Sequence, residues 1–340
     1  MLEATGANRS LALRHLPMLV LRLHCRFADE APSPAHAGEM WRGVVKEGLR
    51  QQSPELLAAL FEPERYRASQ PASGEPAAPA KTNTLTPGLA LRVAQAPDDA
   101  RNNVNTHHLE LSFFGRAAPY AQPLLYGLLA QGEGGIGNSG LRFGIETVES
   151  RSALGQWQAW ALPAKASSIT ALPMVPAIAF NPLPEEGGSS TSRNAGNDNE
   201  LQTLALALTS RLRLKVNHNL LRRQPPLALL VERLISRANL LGTLWGDGLV
   251  VDTDTAAGLM ALAERAAQLP GRQANLARRR VSSGRQETDY PGDGLTGVLA
   301  YQLPAHAARA LLPLLTFGEL THLGDQTTMG SGHFRVLVSG

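Results

Sequence analysis

The sequence predicts an α+β protein built from two tandem domains, each an antiparallel sheet covered by helices on one face. Three observations predict it. The order strand, helix, strand, strand, helix, strand is legible twice along the chain. A polar stretch, EEGGSSTSRNAGNDNE, separates the two readings. The 340 residues, with 43% hydrophobic and 18% charged content, suffice for two cores of ordinary size. The expected division is an N-terminal domain over 1–180, loop-rich at about 69–87 and ending in a polar linker at about 181–200, and a C-terminal domain over 201–340.

The elements follow in order. Residues 17–27 alternate Leu21, Leu23, Cys25 and Phe27 against Arg22, His24 and Arg26, the pattern of a half-buried strand. A helix should come next, capped by Ser33 with Pro34 in its first turn, and with Met40, Trp41, Val44, Val45 and Leu49 as its apolar stripe. Past the Pro/Ala/Ser-rich stretch, strands are expected at about 88–96 and 107–115. A helix at 119–131, a glycine-rich turn and a strand at 141–149 complete this half. The second half reads as a long strand at 202–216, helices at 225–243 and 255–269, and strands at 276–287 and 294–302. A helix at 304–316 and a strand at 333–338 end it. Pro313 inside that last helix predicts a kink or an early end, because an interior proline costs about 3 kcal/mol. Each half thus has the ferredoxin-like, or RNA-recognition-motif, arrangement.

Composition narrows the function classes. The N-terminal leucine-rich stretch is interrupted by Arg22, His24 and Arg26 before a signal-peptide core can form, and no apolar run reaches the length of a membrane span. A cytoplasmic, non-membrane protein is the default expectation. The single cysteine, Cys25, excludes an internal disulfide and a multi-cysteine metal site, and reads as a small core residue. The net charge is only +3, yet the basic residues cluster. Arg211, Arg213, Lys215, Arg222 and Arg223 fall in a stretch without acidic residues. Arg265, Arg272, Arg278, Arg279, Arg280 and Arg285 form a second such stretch. Arginine's planar fork suits phosphate, which points to a polyanionic partner.

The segment FGELTHLGDQTTMGSGHFRV, residues 317–336, carries the next clue. Gly324, Gly330 and Gly332 mark a loop that lets backbone approach closely. Thr327, Thr328 and Ser331 add hydroxyls beside the backbone N–H groups, a surface suited to an anion. A glycine-rich connection that merely packs helix on sheet would look the same in sequence.

Along its length the chain resembles the CRISPR-associated RAMP proteins, and among them the pre-crRNA processing endoribonucleases. The resemblance rests on AHAGEMWRGVVKEGL at 35–49, ELLAALFEP at 55–63, LELSFFGRAAPYAQPLLYGL at 109–128 and GGIGNSGLRFGIETV at 134–148. In the second half it continues through LTSRLRLK, RLISRANLLGTLWGDG, SSGRQ with LTGVLAY, and the glycine-rich segment. It implies two ferredoxin-like RAMP domains that bind CRISPR repeat RNA and cut precursor crRNA without a metal or other cofactor. The RNA's own 2′-hydroxyl would attack, leaving a 2′,3′-cyclic phosphate and a 5′-hydroxyl. The crRNA product can stay bound in such proteins, and other subunits of a CRISPR effector complex are the further partners implied.

His36 is the first candidate for proton transfer, since it sits where free helix N–H groups favour an anion and a neutral imidazole, and the family often places its histidine there. Arg42, about 9 Å further along the axis, is the candidate charge stabiliser. Some family members carry a tyrosine ahead of the histidine, whereas this chain has none before Tyr66. That departure supports the alternative of a non-catalytic RAMP subunit that only holds crRNA. His107 and His108 are substitutes, and His322 reads equally as a structural hydrogen-bonder. For RNA contact the candidates are Arg211, Arg213 and Lys215 on one strand face, and Arg278, Arg279, Arg280 and Arg285 in a strand or hairpin. Gly324, Thr327, Thr328, Gly330 and Gly332 of the loop join them.

Overall fold

The computed structural model describes residues 16–30, 37–61, 87–94, 105–137, 140–152, 155–160, 200–271, 273–276, 279–283, 286–290 and 294–339. His36, Ser33, Pro34, Arg278 and Arg285 lie outside them, as do the expected loop at 69–86 and most of the linker.

The N-terminal sheet is antiparallel throughout, in the order β2-β3-β1-β4-β5. Its strands are β1 (Met18–Phe27), β2 (Leu89–Ala94), β3 (Thr106–Phe114), β4 (Phe143–Arg151) and β5 (Trp157–Trp160). The alternation in β1 settles its faces: Leu21, Leu23, Cys25 and Phe27 are buried, while Arg22, His24 and Arg26 stand on the other side. Helices α1 (Ala37–Gln52) and α3 (Ala121–Gly134) cover the core face, and the short α2 (Pro54–Phe61) follows α1. Trp41, Val44, Val45 and Leu49 form the buried stripe of α1. The two long helices approach so closely that a Cβ on Gly127 would stand 2.2 Å from the Gly48 carbonyl oxygen.

The C-terminal sheet runs β10-β13-β6-β14, with β9 also paired to β13. Its members are β6 (Leu201–Leu212), β9 (Ala267–Leu269), β10 (Gln273–Leu276), β13 (Gly294–Pro304) and β14 (Phe334–Ser339). Helices α4 (Leu227–Trp245), α5 (Thr253–Glu264) and α6 (Ala305–Thr321) complete this half, and each buries apolar residues such as Leu234, Leu259 and Leu311. Asp252 caps α5, accepting from the Thr255 N–H at 2.8 Å. The buried Tyr301 hydroxyl donates to the Pro225 carbonyl at 2.8 Å and ties the sheet to the chain entering α4. The shared order, second-third-first-fourth strand, makes both halves ferredoxin-like.

Several element expectations need correction. The strand at 202–216 ends at Leu212. Beyond it, β7 (Lys215–Val216) and β8 (Asn219–Leu220) form a small hairpin, turned by Asn217 and His218 at φ 48° and 66°. The single strand at 276–287 is instead the end of β10 and a separate hairpin of β11 (Arg279–Ser283) and β12 (Gln286–Tyr290). The helix expected at 255–269 is α5, which stops at Glu264 so that the chain can return as β9. The helix at 304–316 does not end early, because α6 runs through Pro313 to Thr321. Leu311, Leu314, Leu315 and Phe317, all buried around that proline, outweigh the roughly 3 kcal/mol it costs.

The two halves meet through glycines. A Cβ on Gly88 would fall 2.7 Å from the Trp245 ring and one on Gly115 would fall 2.0 Å from the Trp245 carbonyl oxygen. Arg116 Nη2 adds a bond to the Gly246 carbonyl at 2.8 Å.

Candidate functional site

The glycine-rich loop begins where α6 stops, at His322, whose φ of 61° turns the chain out of the helix. It then lies along the end of β6. Asp325 N–H donates to the Arg213 carbonyl and Gly332 N–H to the Arg211 carbonyl, both at 2.8 Å. The loop closes on itself through Leu323 N–H and the Gly332 carbonyl at 2.9 Å. Two glycines are required sterically: at φ 80° a Cβ on Gly332 would stand 1.8 Å from the Leu323 carbonyl oxygen, and at φ 86° one on Gly324 would stand 2.2 Å from that of Arg213. Gly330 lies over β2, 3.6 Å from the Leu91 carbonyl oxygen by the same measure.

Side chains complete the docking. Arg211 Nε donates to Ser331 Oγ at 3.2 Å, and Lys215 Nζ lies 3.2 Å from Asp325 Oδ2 with both groups about half exposed. Burial lowers the Arg211 pKa and Arg213 lowers it further, while Glu39 acts in the opposite direction. Glu39 belongs to the first turn of α1, so the arginine-bearing strand end of one domain and the helix start of the other share one electrostatic neighbourhood.

The loop also abuts α1 directly. A Cβ on Gly38 would come within 2.0 Å of the Met329 carbonyl oxygen. Arg42, one turn on, is partly exposed, and its buried Nε has no hydrogen-bond partner among the described residues. The residues brought together are therefore Gly38, Glu39 and Arg42 from α1, Arg211 and Arg213 from the end of β6, and the loop. His36, two positions before Gly38 in sequence, is outside the described residues.

Under the loop lies a buried polar layer. Arg237 of α4 donates from Nε to the Thr321 carbonyl at 2.7 Å and from Nη2 to Thr327 Oγ1 at 3.2 Å. Burial pulls its pKa down to about 10. Thr327 and Thr328 are both buried, and the Thr327 hydroxyl is engaged by this guanidinium. Burial, then the charges of Arg237 and Arg92, push the His322 pKa down to about 3. Burial, then His322 and Arg92, drive that of His333 far below its ordinary value. Arg92 Nη1 lies 3.0 Å from the His333 ring nitrogens, the Thr209 hydroxyl bonds to Nδ1, and the two imidazoles meet edge to face at 5.2 Å. These histidines are neutral structural groups at working pH.

The remaining candidates are dispersed. His107 is fully buried and its Nδ1 accepts the Trp41 indole proton at 3.0 Å, a core role. His108 lies against His24, ring centroids 4.4 Å apart and planes tilted by 54°, on the opposite face of the N-terminal sheet, where burial and His24 lower its pKa. Arg279 and Arg280 lie on β11, opposite Tyr290 and Asp289 of β12. Among the described residues no group of three or more His, Cys, Asp or Glu side chains is arranged to hold a metal ion, and no helix is long and apolar enough to cross a membrane.

Sequence reasoning missed Arg237, Arg92 and Gly38. A signal existed for Arg237: Leu230, Val231, Leu234, Ala238 and Leu241 form the buried stripe of α4, and Arg237 falls within it. An arginine on an apolar stripe has to be buried against a partner.

Two tandem ferredoxin-like domains, the second closing on a glycine-rich loop that packs against the first, define the class of fold. Residues 206–334 match the family model of the CRISPR-associated endoribonuclease Cas6. Residues 16–171 match a model described only as an N-terminal domain. Among solved structures, Thermus thermophilus Cas6 is similar in its product complex, at TM-score 0.52 and 16% identity over 94% of this chain and 99% of that one. Its other structure gives 0.50 and 17% over 95% and 99%. A partial Cas6-RT-Cas1–Cas2 complex matches at TM-score 0.54 and 12% identity, covering 97% of this chain and 47% of that one. At these identities the likeness is one of fold. Among curated proteins nothing matches.

Proposed function

We propose that the protein is a metal-independent endoribonuclease that binds CRISPR repeat RNA and cuts precursor crRNA where α1 meets the glycine-rich loop. The observation that carries this is the convergence, from two domains, of Gly38, Glu39 and Arg42 with Arg211, Arg213 and the loop. Arginines from both sides can hold the phosphates flanking one bond, and the helix start supplies N–H groups beside them. His36 takes the proton of the 2′-hydroxyl, whose oxygen bonds to phosphorus in line with the departing 5′-oxygen. That 5′-oxygen leaves as a hydroxyl after taking up a proton, and the other product carries a 2′,3′-cyclic phosphate. Arg42, whose buried Nε has no hydrogen-bond partner among the described residues, balances the charge that gathers on the phosphoryl oxygens. Arg211, Arg213, Lys215 and the β11–β12 hairpin serve as the RNA-binding surface.

The test is incubation of the purified protein with its cognate repeat RNA in EDTA. Cutting in EDTA that is lost in His36→Ala, weakened in Arg42→Gln and retained in His218→Ala, an exposed turn residue, is the expected result. Tight binding by the wild type without a cut would replace the nuclease with a crRNA-holding subunit, the reading that the absence of a tyrosine before Tyr66 favours.

A further inference from the structure

We infer that Arg237 is a positioning residue that fixes the glycine-rich loop at the height where it meets the start of α1, an assignment that rests on the nuclease reading above. The guanidinium lies within α4's apolar stripe, partly buried, and among the described residues its hydrogen bonds go to a carbonyl and a hydroxyl, not to a carboxylate. A partly desolvated arginine with no carboxylate on it among the described residues is costly, so its presence calls for a geometric reason. That reason lies in what its two arms hold. Nε fixes the last carbonyl of α6, at Thr321, where the loop departs. Nη2 fixes Thr327, the first residue of the 3-10 turn Thr327–Met329.

Two residues beyond Thr327, the Met329 carbonyl oxygen occupies the space that a side chain on Gly38 would need. On the way back the loop hands Ser331 to Arg211 and Gly332 N–H to the Arg211 carbonyl. Arg237 therefore pins the departure of the loop and the start of the turn that leads into its contact with α1, after which the loop returns along the arginine strand. The planar fork sets two directions at once, which lysine cannot do. Loss of this clamp lets the loop shift against the helix while each domain keeps its core.

The test uses the full chain with Arg237→Met, Arg237→Lys, Thr327→Val and Thr327→Ser. Under single-turnover conditions with saturating repeat RNA, Arg237→Met and Thr327→Val should cut about tenfold to a hundredfold more slowly, while RNA affinity stays within about twofold. Thr327→Ser, which keeps the hydroxyl, should restore most of the rate. Arg237→Lys should not. Amide hydrogen exchange should quicken in Arg237→Met at both 326–332 and 38–42. Wild-type rate in both Arg237→Met and Thr327→Val, or a fall in RNA affinity equal to the fall in rate, would overturn the assignment. If the wild type binds the RNA without cutting it, the nuclease reading falls, and hydrogen exchange alone decides the positioning role: unchanged exchange at 38–42 defeats it. Should Arg237→Met not fold, Thr327→Val and Thr327→Ser carry the same comparison with the guanidinium in place.

Discussion

Replacing Gly38 with alanine would place a methyl carbon 2.0 Å from the Met329 carbonyl oxygen and 2.8 Å from its carbon. A carbon–oxygen contact is comfortable from about 3.3 Å, so helix and loop must part by about 1.3 Å. Both atoms in the clash are backbone, and no side-chain rotation can relieve it. Alanine gains up to about 1 kcal/mol over glycine in a helix interior, and less in a first turn, against about 1–3 kcal/mol for overpacking. The net expectation is a loss of about 1–2 kcal/mol in stability. A displacement near 1 Å at a reacting centre can cost about a hundredfold in rate, so cleavage should suffer more than folding does. Gly43, one turn further along the same helix, has nothing within 4 Å of the place a methyl would take and supplies the control. Gly43→Ala should cut at the wild-type rate and gain up to about 1 kcal/mol. The assay is single-turnover cleavage beside thermal unfolding for the three proteins. Gly38→Ala that matches wild type in both, or Gly43→Ala that is equally slow, would refute the reasoning.

Glu110 accepts from Arg22 Nε and Nη2 at 3.0 and 2.8 Å and pairs with Arg92 Nη2 at 2.7 Å. Its Gln variant strands the largely buried Arg92 and should lose about 3–5 kcal/mol in denaturant unfolding, whereas a loss under about 1 kcal/mol would mean the network is dispensable. Burial works to raise the Glu110 pKa, but Arg92 and Arg22 outweigh it and hold it low. The pair therefore stabilises the fold above the ordinary carboxylate range, and that support disappears as acid protonates Glu110. His322 acts with the same sign in a higher window. Its folded pKa of about 3 lies below the ordinary 6.5, so its contribution is complete above about 6.5 and is lost as pH falls towards 3. Thermal midpoints taken across that window should decline less in His322→Asn than in wild type, and parallel curves would exclude the linkage. For RNA binding, Arg211→Gln and Arg213→Gln should each flatten the dependence of log affinity on log salt by about one, and unchanged slopes would remove them from the phosphate contacts.

The parts legible in the sequence are those where one period decides one face. Leu21, Leu23, Cys25 and Phe27 in β1, and Trp41, Val44, Val45 and Leu49 in α1, were readable because burial follows local spacing. The turn after β6 was not, because Asn217 and His218 adopt left-handed conformations without a glycine to announce them. Pro313 misled because helix propensity is local while the packing of Leu311, Leu314, Leu315 and Phe317 is not. In the candidate site, Arg42, Arg211 and Arg213 could be named from charge pattern and resemblance. Their meeting across two domains could not, since it depends on Gly38 leaving room for Met329. Thr327 shows the same limit from the other side: a hydroxyl in a glycine-rich loop suggests a ligand, and only the fold reveals that Arg237 already engages it.

The Trp245 junction has a consequence for engineering. Gly88 accepts that residue's ring and Gly115 its carbonyl because neither presents a side chain, so an added methyl would meet the Trp245 ring at 2.7 Å or the Trp245 carbonyl oxygen at 2.0 Å. Grafting the second half onto the first half of a relative will therefore demand a matched pair of glycines at those two positions. A chimaera bearing alanine at either one should unfold at a lower temperature than its glycine counterpart, since the two halves share one buried apolar cluster.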